Sequence, residues 1–312
     1  MKKSLKSGLR LLVGLLLLAG IVYVADPLSL LQRLRHADKL WLCAGLLAGI
    51  ASNLVSAWRW RELAQWFGAR MPVPHALQWY FQAMGLNVLL PGAVVGGDVY
   101  RAVMLQRSAV ANKGAGISVF LDRISGLWML CAIGAAGAAL NASVLAPVLH
   151  LPAEYFAAAC VAIVVIWLAM PMALLHWLKK SSALSRLPPW AKPLQVAVAQ
   201  EHSAKLLWVQ ALLSALVQVL SATALACGGA ALGLNLPWSV WAFAIAPIFL
   251  MAALPVSVGG WGTREAACVA ALAPFGVTAA SAIGVGLLYG LFALAQGALG
   301  ALVLGLPAKT QK

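Results

Sequence analysis

Arg101 and Arg264 are the residues of this chain best suited to binding chemistry, because each ends the same short phrase. Residues 90–101 read Leu-Pro-Gly-Ala-Val-Val-Gly-Gly-Asp-Val-Tyr-Arg, and residues 254–265 read Leu-Pro-Val-Ser-Val-Gly-Gly-Trp-Gly-Thr-Arg-Glu. Both carry Leu-Pro, a short spacer, Gly-Gly and an arginine four residues after the second glycine. A guanidinium can hold a phosphate or carboxylate with two parallel hydrogen bonds. Pro91 and Pro255 break a helix, since proline lacks an N–H and clashes with the preceding turn. Gly92, Gly96, Gly97, Gly259, Gly260 and Gly262 permit tight turns and close approach to a ligand. A helix is expected to start near Asp98, with Arg101 on its first turn and Arg264 placed likewise in the second copy. Free N–H groups there favour an anion. The competing reading is that each arginine is held by its own neighbouring acid. Asp98 and Arg101 lie three apart and can meet on one helix face, whereas Arg264 and Glu265 are adjacent and are not expected to face each other.

A third pair of ionisable residues, Asp122 and Arg123, sits inside the apolar run 117–124. Charges at membrane depth are expensive and turn toward a bundle interior or a wet cavity. Here too two readings stand: a direct contact with ligand, or a lock between helices, with Asp122 reaching Arg101 or Arg264. Asn87 either satisfies backbone groups freed by the break or lines the cavity. Asp98, Arg101, Asp122, Arg123, Arg264 and Glu265 sum to zero charge, so counting alone does not establish an anion site.

Other chemistries lack their signatures. There is no Gly-x-Ser-x-Gly, no His-Glu-x-x-His and no Gly-Lys-Ser/Thr, so neither an enzyme nor an ATPase is expected. Cys43, Cys131, Cys160, Cys227 and Cys268 lie in apolar stretches with no Cys-x-x-Cys, and the five histidines are scattered. They read as small hydrophobes and isolated polar residues, and neither a metal nor another cofactor is expected.

The elements that must position these residues are membrane helices. Hydrophobic residues make up 63% of the 312 and charged residues 10%, against roughly 45–50% and about 25% in a soluble domain. The chain is read as an all-α polytopic membrane protein in a single domain over 1–312. About six spanning helices are expected, over 8–25, 40–58, 114–140, 154–177, 206–233 and 277–305. Two further apolar segments, 74–106 and 238–273, are broken in the middle and read as re-entrant helix pairs, giving eight or more apolar helices. The basic amino terminus (Lys2, Lys3, Lys6, Arg10) flanks an uncleaved first helix rather than a signal peptide.

The net charge of +14 follows the positive-inside rule and excludes nucleic acid as a partner, because most Lys and Arg sit in short loops and at the ends. Both termini, Arg59, Arg61, Arg70, Arg107, Lys113 and the loop 179–205 fall on the cytoplasmic side only if each broken segment returns to its own face. One then opens from inside and the other from outside. The halves, about 40–140 and 206–305, form an inverted-topology repeat, the layout of many alternating-access transporters. Irregular backbone at membrane depth must be buried or line a cavity, so the two Gly-Gly loops should meet near the centre. Trp58, Trp60, Trp66, Trp79, Trp177, Trp190, Trp238 and Trp241 read as the interfacial aromatic belt.

The residues Asn87 through Arg101, Leu121-Asp122-Arg123 and Leu254 through Glu265 together resemble the transmembrane, flippase-like domain of the lysylphosphatidylglycerol synthase family, over nearly the whole chain. The resemblance implies a translocase of the bacterial inner membrane that moves a phospholipid or a lipid-linked saccharide. Arg101, Arg264 and Arg123 would hold the phosphate, and Asp98, Asp122 and Glu265 would tune or release it. Family members that aminoacylate lipids carry a soluble transferase domain after the membrane part. This chain, ending at Lys312, is expected to be the flippase-like part alone. Members also often place an arginine in the last helix, where this chain has Leu288-Tyr289-Gly290. The partners expected are anionic phospholipid or a polyprenyl-phosphate-linked glycan. The alternative is a non-transporting accessory protein of a membrane glycosyltransferase or lipid-modifying enzyme.

Overall fold

A computed structural model of the protein describes residues 35–89, 94–108, 114–181, 188, 192–254 and 259–304. All regular structure among them is helical: α1 (Lys39–Trp66), α2 (Val73–Leu89), α3 (Val94–Arg107), α4 (Ala115–Leu140), α5 (Ala153–Lys180), α6 (Lys192–Ala199), α7 (Ser203–Ala231), α8 (Trp238–Ala253), α9 (Thr263–Leu272) and α10 (Ala279–Leu304), with single short turns between some of them. Five of these, α1, α4, α5, α7 and α10, are long and apolar enough to cross a bilayer. The protein is therefore a multi-pass helical membrane protein. The expected helix over 8–25 lies outside the described residues. Two boundaries differ from expectation. The first helix described runs on to Trp66 instead of ending near 58, and the basic loop 179–205 holds the short helix α6.

The long helices pack through small and polar residues, as membrane helices do when hydrophobic exclusion gives no help. On α1 the buried positions Gly45, Gly49, Ser52, Ser56 and Arg59 recur at three- and four-residue steps and form one stripe. The stripe faces α7, which runs antiparallel. The Asp38 N–H donates to the Ala231 carbonyl, the hydroxyls of Ser52 and Ser221 lie 2.8 Å apart, and Arg59 Nη1 donates to Ser214 Oγ. Asp38 also caps α1, its carboxylate accepting the Leu40 N–H at 2.8 Å.

Two glycine crossings join helices far apart in the chain. A side chain at Gly300 of α10 would run into the Phe81 carbonyl of α2, and one at Gly137 of α4 would run into the Phe243 N–H of α8. Thus α2 packs on α10, and α8 packs on α4. The short helices pack on their neighbours in the chain, α3 on α2 and α4, and α9 on α8 and α10.

Pro171 inside α5 leaves the Trp167 carbonyl without its helical donor. The Trp128 indole of α4 fills that gap, donating to the Trp167 oxygen at 2.7 Å, while the Trp167 indole donates back to the Trp128 carbonyl at 2.9 Å. The expected aromatic belt holds only in part. Trp58, Trp177 and Trp238 are exposed, but Trp60, Trp66, Trp79 and Trp241 are buried among the helices, because they fall on the packed faces rather than at the lipid boundary.

Candidate functional site

The first glycine pair works differently from expectation. Helix α3 begins at Val94, not near Asp98, so Gly96 and Gly97 lie inside it and Arg101 sits beyond the first turn. Here glycine serves packing rather than turning. A Cβ on Gly97 would come within 2.5 Å of the Ala83 carbonyl and 2.6 Å of Asn87 Oδ1, so only glycine lets α3 lie against α2. Asn87 accepts the Gly97 N–H at 2.9 Å, which matches the backbone-satisfying reading of that residue. Pro91 and Gly92 lie outside the described residues, as does Pro255.

Five charged side chains from α1, α3 and α4 form one continuous alternating chain. Arg59 Nε donates to Asp122 Oδ1 at 2.9 Å, and its Nη2 donates to the Asp122 carbonyl at 3.0 Å. Arg101 Nη1 donates to Asp122 Oδ2 at 2.9 Å and its Nη2 to Asp98 Oδ1 at 2.8 Å. Arg123 closes on Asp98 with two bonds, Nε to Oδ2 at 2.8 Å and Nη2 to Oδ1 at 2.9 Å. Both alternatives offered by the sequence are thus present: Asp98 pairs with Arg101 along its own helix, and Asp122 locks α4 to its neighbours. The lock reaches Arg101 and not Arg264. Three guanidinium groups face two carboxylates, leaving one positive charge in excess.

The cluster has a closed end and an open end. Arg59, Asp122 and Arg101 are buried, while the side chain of Arg123 is 45% exposed and that of Asp98 partly so. The Arg101 guanidinium carbon lies 5.0 Å from the centroid of the Trp60 ring and 4.9 Å from that of Tyr80, a cation–π setting that helps hold a charge away from water.

Arg59 is the member of the charged cluster that sequence reading missed. Its place in a basic loop followed from ending the helix near 58. The signal lay in the spacing, for Gly45, Gly49, Ser52 and Ser56 mark a buried stripe that extends by one further step to Arg59.

The second copy keeps the turn chemistry. Gly259, Gly260 and Gly262 have φ of 61°, 76° and 85°, in the left-handed region that favours glycine, and α9 starts at Thr263 with Arg264 on its first turn. Contrary to expectation, Arg264 and Glu265 do meet. Glu265 Oε2 turns back to accept the Gly262 N–H at 2.5 Å, as a third-position glutamate does at a helix start. That brings its Oε1 to 3.0 Å from Arg264 Nη2. Arg264 Nε also donates to the Gly286 carbonyl at 3.0 Å, and its guanidinium carbon lies 4.8 Å from the Trp261 ring centroid.

The two sites differ in a regular way. Asp122 is the eighth residue of α4, and Gly286 is the eighth of α10. Where a carboxylate receives Arg101, a main-chain carbonyl receives Arg264. The second site is neutral as a result. A Cβ at Gly290 would collide with the Arg264 guanidinium, so α10 has no room for a side chain there.

The structure brings Asp98, Arg101, Asp122 and Arg123 together, and separately Arg264 and Glu265. No hydrogen bond or ion pair joins the two sets among the described residues. Arg101 is 2% exposed and Arg264 4%, so neither lines an open cavity.

A comparison with the curated proteins gives no match. The sequence pattern of the lysylphosphatidylglycerol synthase TM region matches residues 10–300, a membrane domain associated with lipid handling. That span takes in every helix on which the two sites are built apart from the last turn of α10, and the chain belongs to this family.

Proposed function

We propose that the protein is a lipid translocase that moves a phospholipid or lipid-linked saccharide across the bacterial cytoplasmic membrane, with both termini on the cytoplasmic side and no catalytic step of its own. The observation that carries this reading is the excess positive charge of the chain Arg59–Asp122–Arg101–Asp98–Arg123, buried at one end and exposed at Arg123. An anionic headgroup arriving at Arg123 competes for Asp98's partners. Each arginine it takes over frees a carboxylate to pair with the next, so the charge chain can reorganise without stranding an unpaired ion.

The arrangement of helices supports an inverted repeat. α2 packs on α10 as α8 packs on α4, and α1 lies antiparallel to α7. The short helices support two re-entrant pairs: α2 and α3, of 17 and 14 residues, and α8 and α9, of 16 and 10. At 1.5 Å per residue each is shorter than the roughly 30 Å hydrocarbon core. Paired broken segments near the midplane are where such transporters bind their cargo.

The test is reconstitution in liposomes with a fluorescent phospholipid or a polyprenyl-phosphate sugar, scored by an impermeant quencher, for the wild type and the Arg101→Ala/Arg264→Ala variant. Movement in the wild type that the variant loses supports the proposal. Movement that survives the double substitution refutes the site. No movement by folded wild-type protein refutes translocation and turns the search to a partner glycosyltransferase or lipid-modifying enzyme.

A further inference from the structure

An open pocket lies at the elbow where α1 ends and α2 begins, with a volume of about 640 Å³. It is lined by Arg61 and Gln65 of α1 and by the connection 68–72, which includes Arg70. Two arginines thus line it, and no acidic residue does. Gly68 makes the turn at φ 87°, where a residue with a side chain would be strained.

Cations at the end of a helix ordinarily serve its last carbonyls. At this elbow those carbonyls are already served. The oxygens of Leu63, Ala64 and Gln65 accept the N–H groups of Phe67, Ala69 and Gly68, and that of Trp66 accepts Gln200 Nε2. Arg61 is fixed across the elbow, with Nε donating to the Met71 carbonyl at 2.8 Å and Nη1 to Glu62 Oε1 at 2.7 Å. Its Nη2 keeps its N–H groups free of partners among the described residues. Arg70 is exposed and makes no hydrogen bond or ion pair among the described residues. The negative end of α1 and the positive end of α2 meet here and offset each other, so the arginines set the sign of the pocket.

We infer that this elbow binds an anionic phosphate group, gripped by Arg61 Nη2 and the guanidinium of Arg70. The planar fork of a guanidinium fits the oxygens of a phosphate, and the two arginines outweigh Glu62 by one charge. Trp58, one turn before Glu62, is 55% exposed and donates its indole N–H to Glu62 Oε1 at 2.9 Å. An exposed indole tied to a carboxylate at the end of a spanning helix marks the membrane–water boundary. A phosphate can therefore arrive from the bilayer as a headgroup or from solution. None of these residues belongs to the charge chain of Arg59, Asp122, Arg101, Asp98 and Arg123, and the site's occupancy does not depend on whether the protein translocates anything.

The test uses the full-length protein in nanodiscs of zwitterionic phosphatidylcholine and follows the reaction of its arginines with phenylglyoxal by peptide mass spectrometry. Arg35 and Arg107, exposed and outside the pocket, are the references. One probe is glycerol 3-phosphate in solution, and the other is phosphatidic acid mixed into the disc. The expected result is a saturable slowing at Arg61 and Arg70 with Arg35 and Arg107 unchanged. Slowing by glycerol 3-phosphate in plain phosphatidylcholine discs assigns the site to a soluble phosphate. Slowing by phosphatidic acid alone assigns it to a lipid headgroup, and either supports the site. Arg70→Gln, a change at an exposed position, should abolish the slowing at Arg61. Arg61→Lys keeps the charge and loses the fork, and should raise the probe concentration for half-protection of Arg70 about tenfold, as loss of a charge-assisted hydrogen bond implies. Should Arg61→Lys fail to fold, Arg70→Gln decides. Equal slowing at the reference arginines, or the same slowing by sodium chloride at equal ionic strength, is surface screening and overturns the site. No slowing by either probe, or protection of Arg61 that survives Arg70→Gln, overturns it as well.

Discussion

Asp122 is the hub of the charge chain, and replacing it with asparagine is the sharpest perturbation the structure offers. The change keeps shape and removes one negative charge, raising the cluster's excess from one positive charge to two. Oδ1 now accepts Arg59 Nε and Oδ2 accepts Arg101 Nη1, both at 2.9 Å. An amide can accept from one of these arginines but must point an N–H at the other. Breaking a buried ion pair by removing one partner destabilises by about 3–5 kcal/mol. Asp98→Asn is the internal control. Asp98 also bridges two arginines, but it and Arg123 reach solvent, so screening should hold its effect to about 1 kcal/mol. At roughly 2–4 °C per kcal/mol for chains of 150–250 residues, Asp122→Asn should lower the thermal midpoint by about 6–20 °C, and Asp98→Asn by a few degrees. The assay is thermal unfolding in one detergent at one salt concentration. Adding Arg59→Gln to Asp122→Asn removes one of the stranded charges, and the double variant should lose less than the sum of the singles. A shift for Asp122→Asn no larger than for Asp98→Asn would refute the buried hub and the ordering of the chain from closed to open end.

The second site and the α4–α5 contact allow tests of their own. Gly290→Ala places a methyl against the Arg264 guanidinium and should lower stability by about 1–3 kcal/mol, as overpacking does; an unchanged midpoint would mean that Arg264 does not lie there. Trp128→Phe removes the donor to the Trp167 carbonyl and should destabilise by about 0.5–1.5 kcal/mol. In a Pro171→Ala background the new N–H serves that carbonyl, so the same substitution should then have a smaller effect, and equal losses in both backgrounds would contradict the compensation.

Most of the helical layout was readable because apolar length is a strong signal: the spans expected over 114–140, 154–177 and 277–305 agree with α4, α5 and α10 to within a few residues. The glycine phrases were legible as special positions but not as two different devices. Gly96 and Gly97 look like Gly259 and Gly260 on paper, yet the first pair is helical, with Gly97 serving close packing, while the second takes positive φ. What separates them is the neighbour each meets, Ala83 and Asn87 of α2 in the first case, and sequence spacing does not reveal that. Arg59 was hidden for the opposite reason. A charge beside Arg61 and Glu62 invites a loop reading, and only the stripe of small residues one turn at a time shows that the helix continues and turns Arg59 inward. The consequence reaches the site itself. Without Arg59 the four remaining charges of the first site cancel, as the two of the second do. With it, the first site holds one unbalanced positive charge and the second, where Gly286 stands in the place of Asp122, holds none. Two copies of one phrase have thus become a charged site and a neutral one, and an anionic headgroup would interact with each differently as it passed from one half to the other.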